Sequence, residues 1–222
     1  MGYIQFARVI IICLFFISKD VVAQQKNYFP VWTYHQDNTN IHGLSVGTFT
    51  ARYANTLTNG VKVEFIGLGG IALLGGFNRI FFDDITDRVN GICLSTTGMF
   101  APGSQVNGIA IGGVAQAICK VNGVAVSAFG QIFENFNGLT LGTSGSEVLD
   151  KGNGMMVGIA ANTADTFNGI QIAFFFNTIE TKGTGLQIGL FNKANNFKGI
   201  QIGFWNENQK RKMPIINWNF RD

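Results

Sequence analysis

Charged residues make up only 13% of this 222-residue chain, against about 25% in an average globular domain. There are 3 prolines, 3 cysteines and 2 histidines. Low charge together with 21 phenylalanines excludes an ordinary disordered chain, which is charged and poor in aromatics. So little proline, with glycine at no fixed third place, excludes a collagen. A net charge of +3 over such a length implies no polyanionic partner, and no nucleic acid is expected. What the chain has instead is glycine, 29 residues of it, nearly twice the usual share. Glycine costs about 1 kcal/mol at each helical position, which argues against a helical bundle.

The chain opens MGYIQFARVIIICLFFISKDVVAQQ. Arg8 precedes an apolar run from Val9 to Ile17, shorter than the roughly 20 residues a membrane-spanning helix needs. The run has the length of a signal-peptide core, and Val21-Val22-Ala23 places a small residue before a cut. The expectation is a leader over 1–23, Gln24 as the mature N-terminus, and an exported protein at the cell surface or outer membrane, with the periplasm as the alternative. Cys13 follows Ile12, not the small residue a lipoprotein cut requires, so lipidation is not expected. Loss of the leader leaves Cys93 and Cys119. They either pair, as in many exported chains, or act as small buried hydrophobes.

A phrase recurs along the rest of the chain: glycine, an apolar residue, any residue, an apolar residue. It appears as HGLSVG (42–47), NGVKVE (59–64), NGICLS (90–95), NGIAIG (107–112) and NGVAVS (122–127). It continues as NGLTLG (137–142), NGMMVG (153–158), NGIQIA (168–173), TGLQIG (184–189) and KGIQIG (198–203). The anchoring glycines are Gly43, Gly60, Gly91, Gly108, Gly123, Gly138, Gly154, Gly169, Gly185 and Gly199. Their spacings run 17, 31, 17, 15, 15, 16, 15, 16 and 14. The gap of 31 equals two periods, so one unit there is degenerate or replaced by an insert. A fixed period of this kind marks a repeat architecture.

Within each phrase Ile, Val or Leu alternates with Gln, Ala, Thr or Ser, the period of a strand. The preceding Asn-Gly reads as a turn, since both residues tolerate positive φ. Each unit is then strand, bend, short strand and Asn-Gly turn. The first half of a unit, such as GLQIGLF (185–191), is apolar, and the second, such as NKANNFK (192–198), is polar. Parallel stacking sets like on like; antiparallel pairing sets apolar beside polar. Stacking also places Asn59, Asn90, Asn107, Asn122, Asn137, Asn153 and Asn168 one above another, where their amides satisfy each other. The expected fold is all-β, a β-solenoid of about 15–16 residues per unit. The alternative is an antiparallel outer-membrane-type β-barrel, suggested by the low charge and by the ending MPIINWNF (213–220), in which Ile216, Trp218 and Phe220 alternate. The expected organisation is a leader over 1–23, a cap or linker over 24–41, a repeat domain over 42–206 with an insert near 77–90, and a capping strand over 207–222.

The block GLQIGLFNKANNFKGIQIGFWNENQKRKMPIINWNF (185–220) resembles the surface-repeat proteins of spirochaetes and Bacteroidetes, strings of NG-apolar-Q-apolar-G units closed by a P-apolar-INW-aromatic ending. NGVKVEFIGLGG (59–70) resembles the N-terminal part of the Bacteroidetes members. The resemblance covers roughly residues 40–220 and is sharpest after 168, since the middle units carry Ala and Ser in place of Gln and Gly. It implies export and an envelope location, and it transfers no functional residues. NGIAIGGVAQA and NGVAVSAFGQI also look like the β-roll heads of trimeric adhesins, an analogy of architecture alone.

Chemical motifs are few. Gly67-Leu68-Gly69-Gly70-Ile71-Ala72 after an apolar strand matches a G-x-G-x-x-A dinucleotide fingerprint with Asp83 beyond it. Gly75-Gly76 interrupts the helix that such a site requires. In FNRIFFDDITDRVN (77–90), Phe77, Ile80, Phe81 and Val89 fall on one helical face, which suggests a short helix over the solenoid edge. Asp83, Asp84 and Asp87 lack calcium-loop spacing and read as a solvated face. His35 lies near Asp37 and His42 near Ser45, proximity without a triad; His42 fills the Asn slot of the first repeat. Lys210-Arg211-Lys212, beside Trp205 and Trp218, reads as a solvated turn. Tyr28, Phe29, Trp32 and Tyr34 read as a cap on the first coil. The chain is therefore read as non-enzymatic, with no cofactor and no metal, its partners being an envelope component, a glycan or the outer membrane.

Overall fold

The computed structural model describes residues 25–50, 55–70 and 82–221; the expected leader lies outside them. Strands β1 (Lys26–Tyr28) and β2 (Val31–Thr33) form the first turn. They are followed by β3 (Thr39–Gly47), β4 (Thr56–Glu64), β5 (Asp87–Ser95), β6 (Phe100–Gly112) and β7 (Gln116–Ser127). Next come β8 (Gly130–Gly142), β9 (Gly145–Gly158), β10 (Ala161–Ala173), β11 (Phe176–Ile188) and β12 (Phe191–Glu207), then β13 (Lys212–Asn219). From β3 to β12 each strand is one turn, paired in parallel with the next, and the turns stack into a β-solenoid of about eleven. Only β13 runs antiparallel, on β12. The barrel alternative is overturned by this parallel pairing, and the pairing order runs open from β1 to β13.

Register is set by the bend. Gly43 pairs with Gly60, Gly60 with Gly91, and so on to Gly185 with Gly199. The glycines are obligatory here because of stacking as much as conformation. Gly138 adopts φ +138°, where side chains are strained, and a Cβ on it would strike the carbonyl oxygen of Gly123 below. The variable spacing of the repeats is absorbed on the other half of the turn. Between β10 and β11 the register slips after Ala164 and Ile179, and resumes with Thr166 opposite Lys182.

Each turn folds flat at its bend, so its two halves face each other across a narrow core. One column of that core is Ile118, Phe133, Val148, Ala164, Ile179 and Ala194, all buried. The next is Val121, Phe136, Gly152, Phe167, Gly183 and Phe197. Phenylalanine alternates with glycine there for a steric reason. Turns repeat every ~4.8 Å, too tight for edge-tilted rings on every level. The Phe167 ring occupies the room left at Gly152, where a Cβ would lie 2.6 Å from its Cδ2.

Among the described residues, no further turn is stacked within the gap of 31. Gly60 pairs directly with Gly91, so the residues between β4 and β5 form an insert. The helix expected near 77–90 is corrected: residues 82–86 are irregular and Asp87–Asn90 already belong to β5, while 77–81 lie outside the described residues. Backbone amides anchor the returning chain, Asp83 to the Pro102 carbonyl at 3.1 Å and Thr86 to Gly103 at 2.9 Å. Cys93 and Cys119 are free, buried thiols.

Gly152→Ala is expected to lower stability by about 1–3 kcal/mol through overpacking. The penalty should shrink in a Phe167→Leu background. Urea unfolding of the four-membered mutant cycle checks this; equal penalties in both backgrounds would refute the interlock.

Candidate functional site

The alternation in each phrase orients side chains in an unexpected sense. The middle residue of the phrase points inward, a glutamine in the last three turns and Cys93, Ala110, Ala125, Thr140 or Met156 before them, and the aliphatic residues on either side point out. Gln171, Gln187 and Gln201 are fully buried, stacked amide on amide at 2.7 and 2.8 Å. At the opposite edge of the core, Asn162, Asn177, Asn192 and Asn206 form a second buried ladder, linked at 3.2, 2.9 and 2.8 Å. These asparagines also clamp the two halves of a turn, since the Asn177 amide donates to the Ile188 carbonyl at 2.8 Å. An orphaned buried amide costs about 1–3 kcal/mol, and in both ladders each side-chain amide nitrogen finds an acceptor.

The predicted bend ladder is present. Asn90 donates to Asn59, Asn107 to Asn90, Asn122 to Asn107 and Asn137 to Asn122 at 2.7–3.0 Å. Asn153 and Asn168 continue it at 2.8 and 3.2 Å, and Thr184 extends it. His42 sits at its start, 3.4 Å from the Asn59 amide.

With amides inside, the aliphatic residues one and three places after each bend glycine face outward. They run from Leu44 and Val46 through Ile109 and Ile111, Leu139 and Leu141, and Ile170 and Ile172 to Ile200 and Ile202, each half-exposed or exposed. All are Leu, Ile, Val or Met. β13 adds another row, with Trp218 beside Ile200 and Ile216 beside Ile202. Charges enter this half of a turn at Lys62 and Glu64, and both point inward. An exposed aromatic edge borders the strip: Phe174 and Phe175 (ring centroids 4.7 Å apart), Phe176 and Phe191 (5.3 Å), and Phe191 and Phe204 (6.1 Å). Ten rows of ~4.8 Å rise and roughly three residues of width cover about 480 Å², the size of the largest apolar patch on a typical monomer, which is often functional. The other half of the turn carries the charge, including Asp165, Glu180 and Lys193.

A buried ionic cluster occupies the N-terminal end. Lys62 Nζ lies 2.7 Å from Asp87 Oδ2, both side chains sealed from solvent. Ser104 donates to Asp87 at 2.7 Å, and Thr56 donates to its other oxygen. The Tyr34 ring covers the ammonium, 4.2 Å from its centroid. Glu64 accepts from Ser95 at 2.6 Å and Thr50 at 3.0 Å; burial raises its carboxyl above the ordinary range. The reading of Asp87 as solvated is thereby corrected. Sequence reasoning missed Lys62 and Glu64, although both occupy the inward slots of NGVKVE, where other turns place small or amide side chains.

The remaining singled-out residues have structural roles. Gly67 and Gly69 pack against the Gly98 backbone, and the Gly69 amide donates to the Gly98 carbonyl at 2.7 Å, so this stretch meets protein where a fingerprint would meet phosphate. His35 Nε2 accepts the Thr48 amide at 3.0 Å. Tyr28 stacks on Trp32 at 4.1 Å, Tyr34 enters the core, and Phe29 stays exposed. Arg211 lies 4.4 Å over the Trp218 ring and bonds Asn217 at 2.9 Å, while Lys212 pairs with Glu207 at 3.0 Å. In the ending, Ile216, Trp218 and Phe220 are exposed, and the capping is done by the residues between them. Asn217 closes the Gln ladder on Gln201 at 3.2 Å, and Asn219 donates to the Phe197 carbonyl at 2.8 Å.

Lys62→Met is expected to cost about 3–5 kcal/mol by stranding Asp87, and Lys62→Met with Asp87→Leu much less; chemical denaturation measures both. The raised Glu64 carboxyl makes the native state bind a proton more readily than the unfolded chain. Its contribution is full below the ordinary carboxylate range and is lost as pH rises through the folded value. Glu64→Gln should therefore flatten the fall in stability across that interval; an unchanged pH profile would contradict this.

Comparison with protein-family models, with curated proteins and with solved structures found no match.

Proposed function

We propose that this protein is a non-enzymatic, exported component of the cell envelope, a repeat scaffold that presents a long face for adhesion or assembly. The observation that carries this reading is the sorting of side chains between the two outer faces of the solenoid. One face is aliphatic from Leu44 to Ile202, while Asp165, Glu180 and Lys193 lie on the other. A continuous strip of about 480 Å² without charge marks an interaction surface. The interior supports the same reading, because the buried slots hold amides locked to neighbouring amides. Those groups build rigidity along the axis. The leader-like segment over 1–23 and the resemblance of residues 185–220 to exported surface-repeat proteins support the envelope address. The partner is then an envelope component, a glycan or the outer membrane, with the charged face toward water.

Expression of the full chain in a Gram-negative host, followed by fractionation and N-terminal sequencing, tests the reading. The expected result is an envelope-associated protein beginning at Gln24 and degraded by external protease. A protein that stays in the cytosol with Met1 in place would overturn it.

A further inference from the structure

We propose that the aliphatic strip is covered by a second copy of this chain. Two solenoids pack face to face about a two-fold axis that lies in the strip and crosses the solenoid axis. This deepens the scaffold reading, on which it rests, by naming the partner.

The first argument is periodicity. The strip is a set of aliphatic rows ~4.8 Å apart, and a second in-register parallel β-ladder carries knobs at the same spacing along the whole length. Such faces interdigitate as the inner faces of β-sandwiches do, at about 10 Å separation. The second argument is area. About 480 Å² from each copy, widened by the aromatic edge, gives roughly 1,000 Å², the area a specific interface has to clear. The third is electrostatic: the ten outward rows of the repeat carry no charge, and the guanidinium of Arg211 lies over Trp218 at the very end of the strip, so closing the face strands no charge along its length. Homodimer interfaces are also the most apolar class.

The fold also directs association sideways. At the C-terminal end, β13 reverses direction. Pro214 there has no N–H to offer, Ile215 adopts φ +67°, and Arg211 and Lys212 flank the edge. These are the devices that discourage a further strand from adding end-on. Orientation follows from the same residues. With the axis crossing the solenoid, the basic end of one copy lies over the N-terminal end of the other, and the two basic ends stay apart.

Sedimentation velocity on the full chain, purified from the envelope of an exporting host and freed of detergent, tests the proposal. The expected species is a dimer. Ile111→Glu with Ile170→Glu changes only outward positions and should weaken it at least about tenfold with the circular dichroism spectrum unchanged. Thr178→Glu, on the charged half, should leave it intact. Single cysteines then report the geometry, since Cys93 and Cys119 are buried. Val126→Cys, next to the axis, should cross-link to its own counterpart. Val46→Cys should cross-link only when mixed with Ile202→Cys. A monomer that still localises to the envelope would overturn the dimer and leave the scaffold reading standing. A monomer that floats with phosphatidylethanolamine–phosphatidylglycerol vesicles would assign the strip to lipid instead. Self-cross-linking of both Val46→Cys and Ile202→Cys would overturn the orientation.

Discussion

Side chains buried in the stacked turns lie about 4.8 Å from their counterparts one turn away, and the rest of the structure follows from what tolerates that proximity. Amides tolerate it best, because a carboxamide donates on one side and accepts on the other. Hence the column of Gln171, Gln187 and Gln201 and the column from Asn162 to Asn206 run through a core that would ordinarily be aliphatic. Inside the core the rings reach into the level of the neighbouring turn, so Phe136, Phe167 and Phe197 alternate with Gly152 and Gly183. Charges fit worst. Lys62 and Asp87 meet between adjacent turns as an opposite pair, and Glu64 has Gly47 and Ser95 as its column neighbours.

A ladder of this kind has two ends, and each is finished differently. At the N-terminal end the polar column changes from amides to an ion pair, hydroxyls and the Tyr34 ring. At the C-terminal end the chain turns back, and Asn217 and Asn219 take up the hydrogen bonds that a next turn would have made. On either side of the insert between β4 and β5, Gly60 and Gly91 keep their register.

Filling the interior with amides has an outward consequence. In a strand the side chains alternate, so the aliphatic partners of each Gln are turned to the surface. The other turns keep the same sense of alternation with smaller or apolar residues in the slot, so ten turns make a continuous strip, and the aromatic edge from Phe174 to Phe204 widens it. The charged residues are left to the other half of the turn, which gives the rod two chemically opposite sides.

The period, the strand character, the Asn ladder and the choice of parallel stacking were legible in the residues, since each depends on like meeting like at a fixed step. The insert was legible as a doubled gap, but its expected helix was not borne out where it is described, because Asp87 to Asn90 are drawn into the ladder by Gly91. The direction of the alternation could not be read locally. A strand of sequence Ile-Gln-Ile is equally regular with either face inward. What decides is whether neighbouring turns bring a second glutamine within hydrogen-bonding distance, and only stacking does that. For the same reason the ending showed its aromatics but concealed that Asn217 and Asn219 are the cap. The sequence by itself determined the repeat and what stacks on what. The tertiary structure alone decided which side of each strand is buried, and with it where the surface is apolar, because burial of an amide depends on partners that lie a whole turn away.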